Sequence, residues 1–214
     1  MKGARTLSER VFDEVRERIL SGRLPANAPI RQDTLAEELG VSKIPLREAL
    51  TRLESGGLVH ADPHRGFFVR PLSRAEAEDI FDLRLKLEPE AAALGALAAT
   101  NAERAAAGVA CAALNKALKN RAPDVGRRNR AFHLALVRPG GRRVTTETLE
   151  RLLALSERYV RVHLGPSERA ARAAQEHEAL LAAWLARREA IVRRDGARHI
   201  RSTLRDLRLQ LPTD

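Results

Sequence analysis

The chain has 214 residues, enough for one or two compact domains, and 44% of it is hydrophobic although only 3% is aromatic. The core must therefore be built from Leu, Ala, Val and Ile, a composition that favours helix over sheet. The formal charge of +10 suits a polyanionic partner, but residues 1–70 carry 12 basic against 10 acidic residues and residues 71–214 carry 26 against 18. A nucleic-acid-binding segment at the N-terminus would thus rely on a few well-placed cations rather than on bulk charge.

Met1 to Arg10 is polar and does not read as a signal peptide, and no apolar run approaches spanning length, so a soluble, cytoplasmic protein without a membrane partner is expected. The single cysteine, Cys111, excludes an intrachain disulfide or a Cys-based zinc ribbon. A first amphipathic helix is predicted from Ser8 to Ser21, with Val11, Val15, Ile19 and Leu20 as its stripe. Gly22 stops it, and Leu24-Pro25 to Pro29 is a loop. A short helix follows through Leu35, Ala36 and Leu39 to Gly40, and Ser42 reads as the N-cap of a third helix, Lys43 to Ser55, with Pro45 in its first turn.

In that third helix Leu46, Ala49, Leu50 and Leu53 should face the core, while Lys43 and Arg47 share another face near its N-terminus. Two β-prone runs come next, 58–61 and 66–70, joined by Asp62-Pro63-His64-Arg65-Gly66, which supplies turn chemistry. This is the layout of a helix-turn-helix with a hairpin wing, in which the third helix enters a major groove and Arg65 reaches a phosphate or minor groove. Periodicity alone fits a generic three-helix unit with an incidental hairpin equally well.

The residues themselves separate the two. The run Leu35-Ala36-Glu37-Glu38-Leu39-Gly40-Val41-Ser42-Lys43-Ile44-Pro45-Leu46-Arg47-Glu48-Ala49-Leu50, followed by Leu53, Gly57-Leu58-Val59 and Arg65-Gly66, closely resembles the winged helix-turn-helix of GntR-family regulators. That resemblance implies a DNA-contacting set of Ser42, Lys43, Arg47, Arg65 and Gly66. Ala26-Asn27 departs from the family's usual Gly after Pro, a change that Asn tolerates because it adopts left-handed backbone readily.

From Ser73 the pattern is helical throughout. Ser73 caps a helix with the stripe Ile80, Leu83, Leu87, Ala91, Leu94 and Ala98, which Pro89 should kink or break. Further helices are expected over 102–118, from Pro123 to the Pro139-Gly140-Gly141 breaker, over 145–164, over 170–185 after Gly165-Pro166, and over 189–209. The fold class is therefore mainly α: a winged helix-turn-helix over 1–72 and an all-helical bundle over 73–214.

The segment Ile80-Phe81-Asp82-Leu83-Arg84, Leu87-Glu88 and Ala91-Ala92 resembles the opening of the effector domain of the FadR subfamily of GntR regulators. So do Phe132-His133, Glu176-His177 with Leu180, and His199-Ile200. The resemblance implies a homodimer that responds to a small carboxylate, often beside a divalent metal, and represses or activates at a pseudo-palindromic double-stranded DNA operator.

His133, His177 and His199 fall on three separate predicted helices, where the plain reading is three partly buried, hydrogen-bonded histidines. The resemblance instead gathers them into one site for a divalent transition metal such as Zn or Ni. The family's fourth ligand is an Asp one helical turn before the first His; here it is Asn129, a neutral and weaker donor. Arg84, Arg158 and Arg161 are candidates to pair a carboxylate effector, with Arg84 favoured because its neighbours match the family pattern. His163 and His64 are expected at the surface or in loops, His60 in a strand and Trp184 in the core. Phosphate-loop, nucleophile-elbow and HExxH motifs are absent, which argues against the rival reading as a metal-dependent hydrolase. A second rival is a DNA-binding protein whose C-terminal domain only dimerises.

Overall fold

The computed structural model describes residues 6–165 and 167–211; Pro166 and the start of the polar Met1 to Arg10 segment lie outside the described residues. Two compact units follow one another, the first ending at Leu72 and the second beginning at Ser73.

In the first unit α1 spans Leu7–Leu20, one residue earlier than its apolar stripe predicts. Thr6 sets that start through a reciprocal capping box: its hydroxyl accepts from the Glu9 amide at 3.2 Å, and the Glu9 carboxylate accepts from the Thr6 amide at 2.9 Å. α2 (Gln32–Leu39) closes on Gly40, whose φ of 63° is the left-handed conformation that a Cβ disfavours. α3 spans Lys43–Ser55 as expected and turns Leu46, Ala49, Leu50 and Leu53 completely inward against Val11 and Val15 of α1. Each such leucine or valine side chain, removed from water, is worth roughly 1.5–3 kcal/mol, so these positions hold the unit together.

The wing is a hairpin of β1 (Val59–Asp62) and β2 (Gly66–Val69), antiparallel in the register Val59 to Val69 and Asp62 to Gly66. The loop before α2, predicted only as a helix breaker, adds to its other edge: the Asn27 amide donates to Val69 at 2.9 Å and the Ile30 amide to Phe67 at 2.8 Å. Asn27 adopts φ 64°, the left-handed backbone that its side chain makes tolerable.

The second unit is a helical bundle: α4 (Arg74–Ala98), α5 (Asn101–Lys119), α6 (Val125–Val137), a 3-10 turn (Arg138–Gly140), α7 (Arg143–His163), α8 (Ser167–Leu185) and α9 (Glu189–Gln210). The Ser73 hydroxyl caps α4 by accepting from the Glu76 amide at 3.2 Å, and Thr100 with Glu103 forms a capping box at the head of α5. Small residues let the helices approach closely. A Cβ at Gly95 of α4 would lie 2.0 Å from the Leu136 carbonyl oxygen of α6, and one at Gly126 of α6 would lie 2.7 Å from the Glu157 carbonyl oxygen of α7. Buried Trp184 of α8 fastens the first crossing, its indole N–H donating to the carbonyls of Ala92 (3.0 Å) and Leu136 (3.1 Å).

Two expectations for α4 are corrected. Pro89 does not break it: the helix is continuous from Arg74 to Ala98, and Pro89 is buried against α9 at Gly196, so packing offsets the missing N–H. The inward stripe is also rotated. Ile80 and Ala91 are buried, but Leu83 is 38% exposed, Leu87 and Leu94 are half-buried and Ala98 is exposed, while Phe81, Arg84 and Glu88 point inward. Among the described residues no helix is long and apolar enough to cross a membrane.

Candidate functional site

Two clusters of chemistry-bearing side chains stand out, one in each unit. In the first, the N-terminus of α3 presents Ser42, Lys43, Ile44 and Arg47 to solvent. Ser42 takes the extended N-cap conformation, but its hydroxyl makes no capping hydrogen bond. Lys43 is ion-paired with Asp33 of α2, and this pair tethers the head of α3 to the preceding helix. On the wing, the Arg65 guanidinium donates to Asp62 at 3.0 Å and lies over the Phe68 ring, 5.3 Å from its centroid, so an exposed cation is held in place at the hairpin tip. Gly66, with φ 91°, is the residue that turns the chain into β2.

In the second unit, α6, α8 and α9 bring His133, His177 and His199 together, all three buried, with ligand-capable atoms within 4.8 Å of one another. The His177 and His199 Nε2 atoms are 3.3 Å apart, and His133 Nε2 is buried without a hydrogen-bond partner among the described residues. Carboxylates that sequence reasoning did not place fix two of the rings: His133 Nδ1 lies 2.6 Å from Glu88 of α4, and His199 Nδ1 lies 2.7 Å from Glu176 of α8. A carboxylate at Nδ1 holds the proton there and leaves the Nε2 lone pair facing the cluster, the tautomer that a metal ligand requires.

Electrostatics keep His133 and His177 neutral. Burial pushes the His133 pKa down, with Glu88 partly opposing it, and pushes that of His177 well below the usual value with His199 and His133 adding repulsion. Burial alone would raise the pKa of Glu88, but the Arg84 charge and the His133 contact outweigh it and hold Glu88 ionised. Three imidazoles with convergent nitrogens, two of them backed by carboxylates, form a donor set suited to Zn or a similar divalent ion.

Asn129, one turn before His133 on α6, is buried and lines the same small cavity as His177 and His199. Arg84 lines it too, its guanidinium donating to Glu88 at 2.8 Å and to the Ser156 hydroxyl at 3.2 Å. Arg158 is instead paired with Glu76, and Arg161 donates to the Pro123 carbonyl at 2.7 Å. His163 corrects the surface expectation: it is buried and lines the cavity, its Nδ1 3.6 Å from Asp206, and burial pushes its pKa down to about 4. The cavity measures about 10 Å³, room for roughly one water. A wider hollow of about 360 Å³ opens between α5, the end of α7 and the start of α8, but no histidine lines it.

Comparisons with known proteins agree with this division. The model of bacterial regulatory proteins of the gntR family matches residues 7–69, and that of the FCD domain matches residues 79–202. The chain is 30% identical over 128 residues to the Bacillus subtilis HTH-type transcriptional regulator YdhC, covering 59% of this chain and 57% of that one. It is 38% identical over 96 residues to a probable D-xylose utilization operon transcriptional repressor of Paenarthrobacter nicotinovorans, covering 45% of this chain and 41% of that one. The matches thus span about half the length of these curated relatives. The solved structure of E. coli McbR/YncC superimposes with a TM-score of 0.80 over 97% of this chain and 99% of that one at 24% identity, which shows a shared fold. With the FCD model alone matching more than half of its length, this chain belongs to the GntR family of bacterial regulatory proteins, of the type whose C-terminal part is an FCD domain.

Proposed function

We propose that the protein is a cytoplasmic, metabolite-responsive transcription repressor that binds a pseudo-palindromic operator as a homodimer. The observation that carries this reading is the exposed N-terminal face of α3, with Ser42, Lys43 and Arg47, in the same unit as a wing that ends in the tethered Arg65. A helix of this kind lies in the major groove while wing cations engage phosphate or the minor groove. The hydrolase reading is set aside, since the matched family is one of transcription regulators and not of enzymes.

Dimerisation is supported by the outward stripe of α4, where Leu83 and Leu97 are exposed and Leu87 and Leu94 half-buried, an apolar strip that a second copy would cover. His133, His177 and His199 would hold the metal, with the Asn129 amide oxygen as a weak fourth donor. Bound there, the ion supplies a Lewis-acidic anchor for a small carboxylate. Arg84 is the second anchor. Because Glu88 contacts both Arg84 and His133, a ligand carboxylate that draws Arg84 away from Glu88 also loosens the support of a metal ligand. The cavity admits little more than a water, so an effector must displace surrounding side chains, the kind of differential contact by which a ligand favours one conformation over another.

The test is operator binding by the full chain and by Arg47→Ala, read by fluorescence anisotropy on duplexes selected from a random pool. Arg47 is exposed, so the variant should keep its circular dichroism and melting temperature yet lose at least about tenfold in affinity. Unchanged affinity would remove α3 from the groove.

A further inference from the structure

Among the large aliphatic residues of α3, Ile44 stands apart. Leu46, Leu50 and Leu53 have no exposure at all, whereas Ile44 is 72% exposed. It shares the outer face with Arg47, Glu48 and Thr51, which follow it by three, four and seven residues and are exposed as well. A β-branched side chain gains nothing there as a helix former. Single exposed hydrophobics are ordinary on protein surfaces; the company of this one is what matters, with Ser42 and Lys43 immediately before it and Arg47 one turn later. The Thr51 hydroxyl is turned back onto the Arg47 carbonyl at 3.0 Å, so Ile44 presents a larger apolar surface at the leading end of this face than any other residue on it.

In the major groove the only apolar feature that distinguishes one base from another is the thymine C5-methyl group. We propose that Ile44 reads sequence by packing against a thymine methyl in each operator half-site, a specificity contact that supplements the polar contacts of Lys43 and Arg47. It rests on the DNA-binding reading given above and deepens it: each half-site should hold a thymine whose methyl, rather than its hydrogen-bonding edge, is recognised.

Replacing thymine by uracil removes that methyl and preserves every hydrogen-bonding group, which isolates the contact. Operators would be selected from random duplexes with the full chain, and each half-site thymine would then be replaced in turn by uracil, with affinities measured for wild type and Ile44→Ala. At one position per half-site, uracil should weaken wild-type binding by about threefold to tenfold while changing Ile44→Ala by less than about twofold. Loss below about twofold at every thymine, or an equal loss in the variant, would overturn the contact while leaving DNA binding intact. A pool from which the chain enriches no sequence would instead overturn the DNA-binding reading, and this inference with it.

Discussion

His163 sits beside Asp206, with Arg169 and Arg172 close by, and burial is the main reason its pKa falls from 6.5 to about 4; His199 and the two arginines add to the fall and Asp206 opposes it. An imidazole whose folded pKa lies below its unfolded value weakens the fold as the pH drops, because the unfolded chain takes up the proton first. For His163 that loss begins near pH 6.5 and is complete below about pH 4, and a shift of this size corresponds to about 3 kcal/mol. His133 and His177, also held neutral by burial, act in the same direction. Thermal melts of metal-free protein between pH 7 and pH 4.5 should therefore fall more steeply for wild type than for His163→Gln. Parallel curves would mean that His163 does not carry the depressed pKa. Its place as the last residue of α7, between Val162 and Leu164, does not by itself mark it as buried, and the packing of α4, α8 and α9 around the end of α7 encloses it. Glu88 and Glu176 were hidden for the same reason, although Glu176 stands immediately before His177 and Glu88 within the matched Leu87-Glu88 pair.

Among the elements, the close crossing of α4 and α6 is the most sensitive joint. A methyl at Gly95 would meet the Leu136 carbonyl at 2.0 Å, an approach that neither backbone can yield to without moving the helices apart. Gly95→Ala should lower stability by about 2–3 kcal/mol, a fall of about 5 °C or more in Tm. Gly108→Ala on α5, where nothing lies within 4 Å of the added methyl, should leave Tm unchanged or raise it slightly. Equal melting temperatures for the two variants would refute the close approach. Helix positions were legible in the sequence to within a few residues because caps and breakers are local: Gly40 after α2, Ser73 before α4, Pro139 after α6. The inward face of α4 was not legible in the same way. That helix carries Ala and Leu on more than one side, so periodicity permits several rotations, and the choice among them depends on burying the Arg84–Glu88 pair beside His133. The continuity of α4 through Pro89 likewise depends on a partner helix, which no local rule supplies.

On the scale of the whole molecule, the chain joins a DNA-binding unit to a helical bundle whose buried centre is the proposed point of control. A ligand changes operator affinity only to the extent that it binds one conformation better than the other, and the proposed metal anchor beside Arg84 would give a carboxylate the means to do so. The helical class of the second unit could be read from composition and breakers, and three histidines on three helices could be listed from sequence. That they meet is a long-range fact, supplied beforehand only by family resemblance. Asn129 in place of a carboxylate would leave a bound divalent ion with one fewer negative donor, which the buried Glu88 and the half-buried Glu176 would partly offset from behind the rings. The most direct measurement is the metal content of the purified full chain, by elemental analysis, with His177→Ala alongside. The account predicts about one zinc or nickel equivalent per chain, lost in the variant. Wild-type protein that holds no metal even after incubation with both ions would contradict a metal centre at His133, His177 and His199.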